Sequence, residues 1–226
     1  MNLPDYEPSK DKKRWVSYFD LLGFVEFVQK HQLVEVFSET LYCLREQKIN
    51  ARLIGRVKCA WFSDTFLFYS PDDSRRSFQE IDHASRWFFD WLVEQQMPAR
   101  GAMAFGDFYP DKVNNIFLGK ALADAAKCGE KYNWLGFVLH RSALKQMIAV
   151  GQPCSKSYKQ WKAEYKNRKT NKIETEKVVA YLIPDLNSLK TMASYTDHKR
   201  HGRKYKNAIQ FVKHFATSNR SSRSPC

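Results

Sequence analysis

Trp15-Val16-Ser17-Tyr18-Phe19-Asp20-Leu21-Leu22-Gly23-Phe24 and, further along the chain, Trp61-Phe62-Ser63-Asp64-Thr65-Phe66-Leu67-Phe68-Tyr69 share one design. Each sets a single carboxylate where an aromatic-rich strand stops or turns. A carboxylate beside so much apolar surface needs a compensating partner, because unpaired buried charge is costly. Two such groups brought together repel, and a divalent cation resolves the repulsion. Asp20 and Asp64 therefore read as a metal pair of a phosphoryl-transfer site. Taken singly, each also has a plain structural reading, Asp20 as a strand-end cap for the next helix and Asp64 as a turn residue.

Working outward, residues 14–20 alternate poorly, as expected of a central strand buried on both faces. Gly23 permits a tight exit, and helical periodicity follows from Phe24 to Gln47. Residues 54–62 and 65–70 read as a hairpin with Ser63-Asp64 at the turn. Pro71-Asp72-Asp73-Ser74 ends it and offers a helix start. A helix over 77–95 presents Phe78, Ile81, Trp87, Phe88, Trp91 and Leu92 inward, and Pro98 breaks it. Residues 99–105 form a strand, and Gly106-Asp107 opens a loop running to Ile116. Gly119 to Lys131 is helical, Trp134 to Leu139 extended, and 142–149 a short helix. Residues 155–172 are polar and basic, Val178 to Leu182 is a strand, and 200–215 is a helix with Ile209, Val212 and Phe215 inward. The sum is an α+β chain, a mostly antiparallel sheet with a split βαβ, palm-like core covered by helices. That layout brings the first strand's end beside the hairpin turn, so Asp20 and Asp64 can meet.

The 226 residues suffice for one domain with a sizeable core, and 43% hydrophobic content with sixteen Phe argues against disorder. The expected division is a polar lead-in over 1–13, one domain over 14–215 with a basic elaboration from about 150, and a disordered tail over 216–226. No apolar run is long enough to cross a bilayer, and the first residues lack a secretory pattern. Five cysteines without a CxxC pair read as reduced thiols of a cytoplasmic protein. The net charge of +13 is uneven: residues 150–226 hold 17 Lys and Arg against 5 Asp and Glu, leaving +1 for residues 1–149. Such asymmetry suits a polyanionic partner, a phosphate-rich substrate or a solvated basic face.

Phe19-Asp20-Leu21-Leu22-Gly23-Phe24, the hairpin Ser63-Asp64, the strand from Arg100-Gly101-Ala102 to Gly106, and the helix from Gly119 to Lys127 occur in the order and spacing of class III nucleotidyl cyclases. The resemblance covers about residues 14–140. It implies two Mn²⁺ or Mg²⁺ ions per site, held by Asp20, Asp64 and the Leu21 carbonyl. It also implies phosphate binding by the backbone N–H groups of Leu22, Gly23 and Phe24. Such sites form between two protomers, so a homodimer is expected, with Lys127 standing where the family places its transition-state arginine. Arg100 either binds substrate or makes a structural salt bridge.

Other positions depart from the family. Ala123 replaces its asparagine, and Ala60 and Ile116 replace its purine-reading lysine and aspartate. The chain looks most like the pyrimidine cyclases of bacterial Pycsar antiphage systems, which make cyclic UMP or cyclic CMP for a separate effector. UTP is favoured slightly over CTP. Lysine offers positive charge without the guanidinium fork.

Two competing readings remain. One is a nucleic-acid-binding module built on Lys199-Arg200-His201-Gly202-Arg203-Lys204-Tyr205-Lys206. The other is a degenerate cyclase fold acting as a sensor. Asp124 suits the orientation of nearby Lys or Arg side chains better than metal binding. Asp107 reads as a loop cap, and Trp61 and Phe105 as core. The six histidines show no metal or triad spacing, and no Walker or dinucleotide fingerprint is present.

Overall fold

The computed structural model describes residues 12–23, 56–194 and 201–221. The predicted first strand is β1 (Lys13–Leu21), and Trp15 through Phe19 are all buried, as a strand covered on both faces requires. It lies antiparallel between β3 (Thr65–Tyr69) and β4 (Ala99–Asp107). β2 (Lys58–Phe62) returns into β3 through Ser63-Asp64. β2 thus runs in the direction of β1 with β3 between them, which is the expected split βαβ arrangement. The connection from β1 to β2, including the helix expected from Phe24 to Gln47, lies outside the described residues. A second split unit follows. From β3 the chain passes through α1 (Arg75–Glu94) to β4, with β1 between the two strands. Ser74 caps α1 by accepting from Ser77 N–H at 3.1 Å.

Beyond β4, α2 (Lys120–Lys131) leads to β7 (Gly136–Leu139), which pairs parallel to β4. α3 (Arg141–Ala149) then precedes β8 (Tyr158–Lys166) and β9 (Ile173–Tyr181), which complete a sheet ordered β2-β3-β1-β4-β7-β9-β8. The chain continues through α4 (Leu186–Ser194) and α5 (Gly202–Ser221).

The two faces of β1 meet different partners. On one, Trp15 packs against Phe78 and Phe19 against Phe88, with ring centroids 4.8 and 5.1 Å apart, while Ser85 donates to Ser17 at 2.7 Å. These contacts seat α1. On the other, Val16 clusters with Leu67, Tyr69 and Ala121, and Tyr18 with Ala104 and Ala125, which seats α2. Glycines permit close approach on both faces. A Cβ on Gly101 would stand 2.4 Å from the Tyr18 carbonyl oxygen, and one on Gly129 would stand 3.0 Å from the Gly101 backbone. Asp20 shares the parity of Val16 and Tyr18, so it belongs to the α2 face.

Three expectations change. The loop assigned from Gly106 to Ile116 is instead the end of β4 followed by a small hairpin, β5 (Tyr109–Asp111) and β6 (Ile116–Leu118). Asp111 organises its turn by accepting from the N–H groups of Val113 and Asn114 at 3.0 and 3.1 Å. The polar stretch 155–172 contains the nine-residue edge strand β8. α4 fills a span with no predicted element, its Leu189 and Met192 buried.

Candidate active site

Asp20 ends β1 where β3 begins, because the two strands are antiparallel and Asp20 opposes Thr65. Leu21 N–H donates to the Asp64 carbonyl at 2.9 Å, so the strand tip and the hairpin turn form one corner of the sheet. Ser63 holds a φ of 54° in that turn, a left-handed conformation that favours glycine. Trp61 pins it by stacking on Phe66 at 4.8 Å and donating its indole N–H to the Ser63 carbonyl at 2.7 Å. Trp61 and Phe105 both pack against the core, Phe105 on Trp15 at 4.8 Å.

Arg100 lies directly across from Asp20 in the register of β1 and β4. Its Nε donates to Asp20 Oδ2 at 2.7 Å, and its Nη1 donates to the Glu130 carbonyl at 2.9 Å. Tyr18 O–H donates to Glu130 Oε1 at 2.8 Å. Burial raises the proton affinity of Asp20 above the ordinary carboxylate range, Arg100 opposes the rise, and the charges of Asp64 and Glu130 add to it. Asp20 thus has one guanidinium as its ion-pair partner and two further carboxylates, Asp64 and Glu130, near enough to act on it. Asp20 Oδ1 and the Asp64 carboxylate have no hydrogen-bond partner among the described residues. Hard oxygen donors with excess negative charge fit Mg²⁺ or Mn²⁺. Among the described residues, no three His, Cys, Asp or Glu side chains converge as a metal cage. The expected donors are the Asp20 and Asp64 carboxylates and the Leu21 carbonyl.

The expected phosphate cradle needs correction at Leu22. Its N–H donates to the Pro98 carbonyl at 2.7 Å, so it is already engaged. Gly23 has a φ of 71°, a left-handed conformation at the tight exit expected of it, and Phe24 lies outside the described residues. Lys127 is not brought to the aspartates. It is exposed on α2, where it lines a cleft of about 340 Å³ with Asp124, His140, Arg141, Glu176 and Lys177. Asp124 accepts from Lys120 at 2.7 Å, the orienting role expected of it. Ala60 packs beside Leu67 and Tyr69, and Ile116 is exposed on β6, so neither supplies a polar group for a base. Sequence reasoning missed Tyr18 and Glu130. Tyr18 could have been found by its shared parity with Asp20, whereas Glu130 joins only through the docking of α2.

This fold is similar to that of solved guanylyl cyclase domains. The dimeric guanylyl cyclase domain of the RhoGC fusion protein of the aquatic fungus Blastocladiella emersonii superposes with a TM-score of 0.51 at 11% identity, covering 76% of this chain and 97% of its own. The monomeric form of that domain gives 0.51 at 10% identity, covering 76% and 95%. The catalytic core of a rhodopsin-guanylyl cyclase with converted specificity, in complex with ATPαS, gives 0.50 at 13%, covering 75% and 97%. At such identities the likeness is one of fold. No family model matches the sequence, and no curated protein does. Among the described residues, no helix is long and apolar enough to cross a membrane.

Proposed function

We propose that this chain is a metal-dependent nucleotidyl cyclase that converts a pyrimidine nucleoside triphosphate, UTP in preference to CTP, into its 3′,5′-cyclic monophosphate and pyrophosphate. The product would serve antiviral defence through a separate effector. The observation that carries this reading is the acidic corner, where Asp20 and Asp64 share a strand tip with too little positive charge to balance them. Asp20, Asp64 and the Leu21 carbonyl would hold the divalent ions. Bound there, the ions would lower the pKa of the attacking ribose 3′ hydroxyl and neutralise the departing pyrophosphate. The chain's own groups prepare the place. Arg100 aims the Asp20 carboxylate, Tyr18 and Glu130 brace Arg100, and Trp61 fixes the turn that presents Asp64. Gly23 opens the approach for a phosphate.

Lys127 lines a cleft that contains neither aspartate, which supports a homodimer in which one protomer's Lys127 completes its partner's site. Apolar residues at Ala60 and Ile116 support a pyrimidine over a purine. The decisive measurement is incubation with each ribonucleoside triphosphate and Mn²⁺, with products identified by mass. A cyclic pyrimidine monophosphate plus pyrophosphate is expected, and Asp64→Ala should lower its formation at least about 100-fold. Product from ATP alone would overturn the base assignment. Undiminished turnover in the Asp64→Ala variant would overturn the mechanism. No product from any of the four would favour the non-catalytic sensor, for which the Arg100–Asp20 pair and Ala123 already speak.

A further inference from the structure

The β8–β9 ribbon reaches the rest of the sheet only where β9 meets β7, at Val138 opposite Ala180 and Leu139 opposite Val179. Beyond that contact the two nine-residue strands pair with each other, and their outer half is tied to the end of α2 by a bridge between Tyr165 and Tyr132 and by the Asn133 N–H donating to the Glu164 carbonyl at 2.8 Å. Its acids are all committed. Glu164 accepts from Arg203 and Asn207 at 2.9 and 3.0 Å, and Glu174 accepts from Tyr165 and Asn167 at 2.6 and 2.7 Å. Glu176 accepts from Lys131 and Tyr132. Its cations are not. Lys162, Lys166, Arg168, Lys169, Lys172 and Lys177 are exposed, and none has an ion-pair partner among the described residues.

We propose that this ribbon is a nucleic-acid-binding surface that grips the phosphate backbone without reading base sequence. Six exposed cations along a two-stranded ribbon at the sheet edge match a run of phosphates, and a ribbon of this kind fits a duplex groove. The surface lacks the apolar anchors of a membrane binder. Among the described residues after Val150, the sole large exposed hydrophobic is Ile173. The surface is separate from the acidic corner, with Lys177 alone of its cations lining the Lys127 cleft, and it stands whether or not the chain is a cyclase.

The test is fluorescence anisotropy of the whole protein with duplex DNA, duplex RNA and single-stranded RNA over a KCl series. Phosphatidylserine vesicles form a parallel arm. Binding to at least one nucleic acid should weaken with salt, with a log–log slope of about −3 to −5. The Lys166→Glu, Arg168→Glu, Lys169→Glu, Lys172→Glu variant should bind at least about tenfold more weakly and show a shallower slope. A control reversing Lys12, Lys13, Lys58 and Lys145, which makes the same change in net charge, should stay within about threefold of the unmodified protein. If charge reversal spoils folding, the corresponding glutamine variant carries the test. Equal losses in ribbon and control variants would overturn the proposal, as would binding to vesicles alone or no salt-sensitive binding at all.

Discussion

The two ends of the seven-stranded sheet treat charge in opposite ways. At the β2-β3-β1-β4 end, acids are drawn inside: Asp20 is only 13% exposed at its side chain, its position set by register and its nearest cation directly opposite. At the β9-β8 end, the acids are tied down and the cations are left in solvent. Charge in the first region is held by packing, so small changes should propagate to shape and reactivity. In the second, the exposed cations have no ion-pair partner among the described residues, so they can be altered with little structural cost.

Three substitutions would break or sharpen this contrast, beyond the loss of turnover expected of Asp64→Ala. The largest effect on stability is expected from Gly101→Ala at the acidic end. The added Cβ would strike the Tyr18 carbonyl oxygen at 2.4 Å and force β1 from β4, so chemical denaturation should show a loss of about 3 kcal/mol or more. A loss below 0.5 kcal/mol would mean that this end packs less tightly than described.

Arg100→Ala comes next. It leaves Asp20 without its cation in a largely buried place and should cost about 2 kcal/mol at pH 7. Protonation discharges the stranded carboxylate, so the gap between variant and parent should narrow as pH falls from 7 to about 4. A gap that stays constant would show that Arg100 acts through packing alone.

The smallest effect lies between the two ends, where Asp90 of α1 meets Tyr181 of β9. Burial pushes the Asp90 carboxyl up to about 6, partly offset by the Tyr181 O–H at 2.7 Å and increased by Glu94. Its folded pKa lies above its unfolded one. The stability it contributes is therefore complete below about pH 4 and is lost as pH rises through about 6. Melting temperature should accordingly climb as pH falls from 7 to 5, and Asp90→Asn should flatten that climb. Identical slopes in the two proteins would remove Asp90 as the cause.

The same contrast governs what could be read from the chain. The acidic end was legible because its strands are apolar, bounded by a turn, and followed by a capped helix, each a local signal. The meeting of Asp20 and Asp64 followed from topology alone. What the sequence did not reveal depends on alignment between distant strands. Arg100 faces Asp20 through an exact one-to-one pairing of β1 with β4, and Leu22 spends its N–H on Pro98, a loop residue of another segment. The cationic end was hidden for a different reason. β8 reads Tyr-Lys-Gln-Trp-Lys-Ala-Glu-Tyr-Lys, and lysines that protect an exposed edge also mask its alternation. Its apolar side became visible only through Trp161, which packs on Phe211 and Phe215 of α5 at 5.5 and 6.2 Å.

The Asn167–Lys172 turn lies beyond the contacts that tie the ribbon down, the Tyr132–Tyr165 bridge and the Lys131–Glu176 ion pair, so the tip can change length without disturbing them. Two residues added to each strand near the Asn167–Lys172 turn would lengthen it while every side chain kept its face. One added residue in either strand would throw the pairing beyond it out of register or force a bulge. Lineages of this protein should therefore differ at that tip in steps of even size.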